Sequence, residues 1–157
     1  METFAPASSY CHARLRLNTT QPTQFIDLTE RIERLVAEAD VGYGVVNVQT
    51  LHTTTAVVVN EHEPLLLDDF QQLLETTAPD HGGYRHDDPL ARVVNLTAAE
   101  RANGHAHCRA VLLPTSVCLN VVKGRLLLGH WQRVFFVELD GPREREISVL
   151  VLRGGRA

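Results

Sequence analysis

SVCLNVVKGRLLLGHWQRVFFVE, residues 116–138, has a run of aliphatic and β-branched residues on each side of a Lys-Gly pair. Such runs are typical of strands and the Lys-Gly pair is typical of a turn, so the segment predicts strands at 116–122 and 125–138. Inside the second run lies Gly-His-Trp-Gln, residues 129–132, which contains the only Trp of the chain. A large aromatic residue between His and Gln, next to a glycine, indicates a functional site rather than part of the core.

The composition predicts one globular domain. The chain has 157 residues, of which 44% are hydrophobic and 22% are charged, as in ordinary folded proteins. A chain of this length supports one hydrophobic core. We therefore expect a single domain at 9–153, with loose termini at 1–8 and 154–157.

The net charge argues against a nucleic-acid partner, and the lack of long apolar segments argues against a membrane partner. The formal net charge is −4, whereas nucleic-acid binding requires a basic surface that neutralises phosphates. Arg143, Arg145, Arg153 and Arg156 alternate with Glu or Gly and are expected on a solvated face. No apolar segment approaches the roughly 20 residues of a membrane span, and the N-terminus lacks the pattern of a signal peptide.

The cysteines favour a reducing compartment. Cys11, Cys108 and Cys118 form no Cys-x-x-Cys pair, and an odd number does not indicate a disulfide framework. Cys108 is expected to be a small buried residue. A cytoplasmic location is therefore expected.

Hydrophobic periodicity predicts an α+β fold. The expected architecture is a sheet-dominated single domain, with two packed sheets of mixed or antiparallel strands, two longer helices and one short helix. The loop at 80–102 is long enough to indicate function, and a short helix is expected after Thr97. The predicted strands are 10–18, 45–51, 55–60, 116–122, 125–138 and 147–152, and the predicted helices run from Asp27 to Ala39, from Pro64 to Pro79 and from a cap at Asn103 to about Leu112.

Four ordered motifs resemble the YjbQ-like family, small bacterial and archaeal proteins, some of which are described as secondary thiamine-phosphate synthases. The family element Gly-Thr-Trp-Gln corresponds to residues 129–132, where His130 stands in the place of the Thr. The family element Asn-Ala-Asp-Ala-His corresponds to residues 103–107, where His105 replaces an acidic residue. The other two motifs are His52, Thr53 and Thr54 with Asn60 and Glu61 downstream, and Tyr84, Arg85 and His86.

The histidines in these motifs are candidate metal ligands. His52 continues the inward face of its predicted strand, and the resemblance selects His107 as the family histidine. His105 lies about 200° around the helix from His107 and is expected to point elsewhere. A divalent cation held by His52, His86 and His107, with one position open, would fit a zinc-type catalytic site, with magnesium as the other candidate. The alternative is that these are hydrogen-bonded structural histidines.

The remaining candidates would bind a phosphorylated substrate or move protons. His107, Glu61 and His130 are candidate catalytic residues, and Glu61 or Asp87 would act as a general base or orient a metal-bound histidine. Both carboxylates equally fit solvated loop positions. The candidate substrate-binding residues are Thr53, Thr54, Asn60, Arg85, Asn103, Ser116, Lys123, Trp131 and Gln132, and Arg125 is a further candidate for a phosphate contact.

The resemblance implies a homotrimer with sites near subunit boundaries. It also implies a secondary ability to join a pyrimidine diphosphate to a thiazole phosphate, with release of pyrophosphate. A metal, cationic side chains and an aromatic wall would stabilise the departing diphosphate. The alternatives are a metal-dependent hydrolase of a phosphorylated or cyclic substrate and a non-catalytic metal- or ligand-binding trimer.

Two expectations follow for the histidines. His52, His86 and His107 should converge on one polar pocket, with His62 and His81 at the surface outside it. Replacement of His130 by Thr should preserve the fold and alter the affinity for metal or ligand.

Overall fold

The computed structural model describes residues 10–97 and 101–154 and confirms the α+β, sheet-dominated architecture. Two antiparallel sheets, three α-helices and one short 3₁₀ turn make up the fold. In chain order the elements are β1 (Tyr10–Asn18), β2 (Gln24–Asp27), α1 (Thr29–Glu38), β3 (Tyr43–Thr50), β4 (Thr55–Glu61), α2 (Pro64–Thr77), the 3₁₀ turn Arg85–Asp87, α3 (Gly104–Val111), β5 (Ser116–Val122), β6 (Arg125–Leu126), β7 (Gln132–Glu138) and β8 (Glu144–Arg153).

The five-stranded sheet has the order β1-β8-β3-β5-β6 and the three-stranded sheet has the order β2-β7-β4. Every strand pair is antiparallel, so the mixed alternative is excluded for the described strands. The smaller sheet is the middle layer of the molecule. Val134 and Phe136 of β7 pack against α1 and the larger sheet, whereas Phe135 and Val137 pack against α2 and α3. Alternate side chains of one strand thus enter two separate cores.

The prediction of one continuous strand at 125–138 is wrong, because two strands in different sheets occupy this segment. The chain leaves the larger sheet after Leu126 and enters the smaller sheet at Gln132. A turn joins them, in which the N–H of Gln132 donates to the carbonyl of Gly129 at 3.0 Å. The N–H of Gly129 in turn donates to Oε1 of Gln132 at 2.8 Å. Leu128 still packs against the first core, which explains why the apolar run continues through the turn.

Two other strands differ from expectation. The four-residue strand Gln24–Asp27 was not predicted, because it is too short for a recognisable alternation. The last strand begins at Glu144 rather than at residue 147, so Arg145 belongs to it. The first helix begins at Thr29 with Leu28 rather than Asp27 at the cap position, although Oδ1 of Asp27 accepts the N–H of Thr29 at 2.8 Å.

The cap of α3 differs from the prediction. Asn103 occupies the N-terminal position but makes no side-chain capping hydrogen bond. Instead, Oδ1 of Asp87 accepts the N–H groups of Asn103 and Gly104, both at 2.9 Å. α2 begins at Pro64 as predicted, with the carboxylate of Glu63 accepting the N–H groups of the first turn.

Some expectations lie outside the described residues or change with the structure. The short helix expected after Thr97 and the loose termini expected at 1–8 and 154–157 fall at least partly on residues 1–9, 98–100 and 155–157, which the structure does not describe. Cys108 is exposed rather than buried, and Cys11 and Cys118 are likewise free and exposed. Among the described helices, none is both long and apolar enough to cross a membrane.

Candidate functional site

A polar pocket of about 460 Å³ opens where four parts of the chain meet. The connection from β3 to β4 forms one wall, the loop between α2 and α3 forms another, and the start of α3 and the turn from β7 to β8 complete it. The polar lining residues are His52, Thr53, Thr54, His86, Arg92, Asn95, Asn103, His107, Asp140, Arg143 and Arg145. All three histidines predicted as metal ligands therefore line one pocket.

His86 and His107 form the closest pair of the three. Their ring centroids are 4.6 Å apart and their ring planes are inclined at 62°. Nε2 of His86 is buried and has no hydrogen-bond partner among the described residues. Because buried polar atoms normally have partners, this nitrogen indicates a place for a ligand, an ion or water.

Asn103 contributes a second unpaired atom to the same pocket. Its Nδ2 donates to Oδ2 of Asp140 at 3.0 Å, whereas its Oδ1 is buried without a partner in the described part of the chain. The amide is thus oriented by Asp140 and presents an acceptor. Such an acceptor suits a hydroxyl, an N–H or a cation of a bound molecule.

His52 lies in the pocket with one ring nitrogen already in use. Nε2 of His52 accepts the backbone N–H of Glu146 at 2.9 Å. Burial lowers the pKa of His52, and the nearby guanidinium of Arg145 lowers it further. The neutral ring that accepts at Nε2 carries its proton on Nδ1. His52 therefore fastens the start of β8 to the pocket and has no free lone pair for a metal in this arrangement.

A buried ion pair supports the floor of the pocket. Arg145 donates to both carboxylate oxygens of Glu138, at 2.7 and 2.6 Å, and to the hydroxyl of Thr54 at 3.2 Å. Burial raises the pKa of Glu138, but hydrogen bonds from Arg145 and the N–H of Asp140 outweigh it, so the net pKa is lowered. Glu138 is consequently ionised and neutralises Arg145.

The arginines give the pocket its guanidinium donors. Arg92, Arg143 and Arg145 line it, whereas Asp140 is the one carboxylate among the described lining residues. Arg143 pairs with Asp140 at 2.8 Å, and Arg92 donates to the carbonyls of Val94 and Asn95. Glu138 offsets Arg145 and Asp140 offsets Arg143, so the pocket suits an anionic ligand through its guanidinium donors rather than through a large net charge.

The place of Arg143 and Arg145 in the pocket was missed in the sequence, where both were expected on a solvated face. That expectation is wrong for Arg145, which is only 4% exposed. Arg145 has the same strand parity as Ile147 and Val149, both of which are fully buried. This parity was the signal that could have predicted its burial.

A second group of predicted site residues lies away from the pocket. Thr55 pairs with Glu138 at the pocket end of the smaller sheet, and Glu61 pairs with Gln132 at the other end. Six strand steps separate the two ends, or roughly 20 Å. Within one chain the pocket therefore lacks the predicted residues Asn60, Glu61, His130, Trp131 and Gln132.

Trp131 is exposed over 65% of its surface and contacts His130, with ring centroids 4.3 Å apart. The phosphate candidates Ser116, Lys123 and Arg125 do not line the pocket either. Lys123 and Arg125 lie at the turn between β5 and β6, whereas Ser116 pairs with Gln49 near the end of β3.

The remaining histidines lie outside the pocket. Nδ1 of His62 is 3.2 Å from Oδ2 of Asp27, and His81 is exposed. Nε2 of His105 is 3.5 Å from Oδ1 of Asp80, so His105 and His107 point in different directions as expected. In the described part of the chain, no three His, Cys, Asp or Glu side chains are grouped so that they could hold a metal ion.

Comparison with known proteins finds a family model and several relatives that are similar to the chain in sequence. A family model described as UPF0047 protein YjbQ-like matches residues 13–154. A UPF0047 protein of Archaeoglobus fulgidus is 41% identical over 138 residues, which cover 88% of this chain and 98% of that protein. A UPF0047 protein of Methanothermobacter thermautotrophicus is 37% identical over 137 residues, which cover 87% and 88% of the two chains.

Solved structures show the same fold. A YbjQ-like protein of unknown function from Sulfolobus solfataricus superposes with a TM-score of 0.82 and 29% identity, covering 92% of this chain and 98% of that chain. A hypothetical protein from Aeropyrum pernix gives a TM-score of 0.80 and 34% identity, covering 91% and 98%. Similarity therefore extends over nearly the whole of each relative.

Proposed function

The chain belongs to the UPF0047 YjbQ-like family, and on that premise we propose that its pocket binds a phosphorylated small molecule and catalyses a transfer that releases pyrophosphate. The candidate reaction joins a pyrimidine diphosphate to a thiazole phosphate to give thiamine phosphate. One observation carries the proposal: His86, whose buried Nε2 has no partner among the described residues, lines a pocket that three arginines also line.

The arginines and Asn103 would bind the diphosphate. Arg143 and Arg92 lie at the pocket surface, and phosphate oxygens accept several hydrogen bonds from guanidinium groups. Arg145 would contribute little direct binding, because Glu138 neutralises its charge and Glu138 and Thr54 already take two of its nitrogens. The buried pair of Arg145 and Glu138 also fixes the wall against which the ligand would rest.

The histidine pair would assist departure of the diphosphate. In the transfer, the bond between the pyrimidine methylene carbon and the diphosphate oxygen breaks and its electron pair leaves with that oxygen. The thiazole nitrogen supplies the pair for the new carbon–nitrogen bond. The two rings, by holding a cation close to the leaving oxygen, would reduce the charge that develops there.

A divalent cation, zinc-type or magnesium, is part of this proposal. His86 and His107 would hold it, because the Nε2 of His86 is unpartnered and the two rings are adjacent. When bound, the ion would supply positive charge to the departing diphosphate. His52 does not fit as the third ligand, since its Nε2 accepts the N–H of Glu146.

We also propose a homotrimer in the cytoplasm. The exposed Leu127 and Trp131 offer apolar surface at the connection from β6 to β7, as a subunit contact requires. A second copy would be the only means of bringing Trp131 or Glu61 towards a pocket. The three free cysteines favour the reducing compartment.

A pyrophosphate-release assay tests the proposal. Purified protein would be given both substrates together and each alone, with and without chelator, alongside His107→Ala and the control His62→Ala, which changes an exposed histidine outside the pocket. Release that needs both substrates, and that is lost in His107→Ala but kept in His62→Ala, is the expected result.

The other outcomes distinguish the alternatives. Release without the thiazole partner would favour a hydrolase. Absence of release, with pyrophosphate still bound, would favour a binding protein. Release that survives both the chelator and His107→Ala would place the reaction elsewhere.

A further inference from the structure

A second cavity, also of about 460 Å³, adjoins the pocket and shares three lining residues with it: His86, Arg92 and Asn95. We propose that this adjoining cavity is a separate binding site for a second anionic ligand, a phosphate monoester with an apolar body. The two ligands would then be bound at once, on opposite sides of the shared wall. This inference rests on the proposed function, because it makes the neighbouring pocket the diphosphate site.

The shared wall is held in place by hydrogen bonds. Arg92 donates from Nε to the carbonyl of Val94 at 3.3 Å and from its terminal nitrogen to the carbonyl of Asn95 at 2.8 Å. Asn95 has a φ of 55°, in the left-handed region that Asn adopts more readily than most residues. The guanidinium of Arg92 thus closes the turn 92–95, which contributes lining residues to both cavities.

Arg85 gives the second cavity its own cation. It lines this cavity and not the first. Its carbonyl accepts the N–H of Asp88 at 3.3 Å, but its guanidinium makes no ion pair or hydrogen bond with any described residue. The neighbouring carboxylates form no ion pair with it, and Oδ1 of Asp87 instead accepts the N–H groups at the start of α3. Oδ1 of Asp88 likewise accepts the N–H groups of Leu90 and Ala91. Arg85 is therefore available for an anion.

The rest of the lining selects the kind of anion. Ala91 and Val94 provide an apolar wall, and the amide of Asn95 provides a polar contact at the shared side. A cavity of this size accommodates a small phosphorylated ring compound rather than a polymer. The unpartnered Nε2 of His86 lies in the wall between this ligand and the diphosphate. Two ligands on either side of His86 suit a transfer between two substrates better than a hydrolysis.

Calorimetric titration with two probes tests the inference. Inorganic pyrophosphate probes the first pocket and phenyl phosphate probes the second, each alone and then phenyl phosphate into protein saturated with pyrophosphate. We expect phenyl phosphate to bind with little change in affinity in the presence of pyrophosphate. Arg85→Ala should lower the affinity for phenyl phosphate by about tenfold or more, because a charge-assisted hydrogen bond is lost. The affinity for pyrophosphate should not change.

Two further variants complete the design. Arg143→Ala should lower the affinity for pyrophosphate and leave the affinity for phenyl phosphate unchanged. Arg34→Ala is the control, since it removes an equal charge from α1, and it should change neither affinity. Full displacement of phenyl phosphate by pyrophosphate, or unchanged binding in Arg85→Ala, would overturn the second site and leave the proposed function standing. Failure of pyrophosphate to bind, with phenyl phosphate still dependent on Arg85, would overturn the proposed function and keep the second site. Failure of both probes to bind would overturn both.

Discussion

His86 and His107 meet edge to face with ring centroids 4.6 Å apart, although one belongs to a 3₁₀ turn and the other to α3. Asp87 joins these two elements, because it follows His86 directly and its Oδ1 accepts the first N–H groups of α3. A helix cap of this kind normally stabilises only the helix end. Here the same carboxylate also sets the distance between the two histidines.

Replacement of Asp87 by Ala should therefore lower both stability and ligand affinity. Loss of the cap should cost about 1–2 kcal/mol in the free energy of unfolding, measured by urea denaturation. Pyrophosphate affinity should fall as well, because the His86 turn is no longer fastened to α3. Asp87→Asn keeps an acceptor oxygen and should restore much of both properties.

Glu63→Ala is the matched control for Asp87→Ala. Glu63 caps α2 through its carboxylate in the same way, but neither of its neighbours in the sequence lines the pocket. The control should lose a similar amount of stability and keep its affinity for pyrophosphate. Equal affinities in the two variants would show that Asp87 is a cap and nothing more.

His52 should remain neutral below its ordinary pKa of 6.5, because burial and then Arg145 lower its pKa. The folded protein then binds fewer protons at His52 than the unfolded chain does. The contribution of His52 to stability is complete above about pH 6.5 and is lost as the pH falls through the folded pKa. Nitrogen-detected NMR should find the proton on Nδ1 at neutral pH. A proton on Nε2 would contradict the hydrogen bond from Glu146.

Glu138 should make the free energy of unfolding depend on pH in the acidic range. Its folded pKa lies below the ordinary value of 4.5, since burial raises it but the hydrogen bonds from Arg145 and the N–H of Asp140 lower it more. The stabilisation by the pair is therefore complete above about pH 4.5 and is lost as the pH falls through the folded pKa. Glu138→Gln should cost about 3–5 kcal/mol at neutral pH, because Arg145 is left buried without a counter-charge.

The loss of stability caused by Glu138→Gln should become smaller as the pH falls. Thermal unfolding of both proteins between pH 7 and pH 3 measures this difference. A constant difference across the range would mean that Glu138 does not titrate with folding. Glu144→Gln, on an exposed position of β8, is the control and should follow the unaltered protein.

The sequence predicted those parts of the fold that local chemistry determines. α2 follows from Pro64 and from an apolar face at helical spacing, and it begins where expected. β7 was merged with β6 because each side of β7 faces a core, so Val134, Phe135, Phe136 and Val137 form an unbroken apolar run. Such a run carries no signal that the chain has moved to another sheet.

The candidate site was predictable only in part for a similar reason. His52, His86 and His107 belong to short motifs, and all three line the pocket. Whether a histidine has a free nitrogen depends on long-range contacts, as the N–H of Glu146 shows for His52. The separation of Glu61 from the pocket likewise depends on strand register, which places it beside Gln132. Neither contact has a signature in the local sequence.

His130→Thr tests whether the second group of motif residues reaches a pocket at all. The sequence alone led us to expect altered affinity in this variant. Because His130 is exposed and lies away from the pocket within one chain, we now expect pyrophosphate affinity to stay within about twofold of the unaltered protein. Arg143→Ala, which changes a lining residue, should lose about tenfold in the same titration.

A loss of affinity in His130→Thr would contradict that expectation and place His130 at the pocket of a neighbouring subunit. Mixed assemblies would then decide the point. In a mixed assembly, some sites combine the pocket of a His130→Thr chain with His130 from an Arg143→Ala chain. Such a site contains every native residue, so mixing the two weakened variants should restore binding at some of the sites. Without an effect of His130→Thr, mixing should give only the average of the two proteins, because each pocket then binds pyrophosphate with the residues of its own chain.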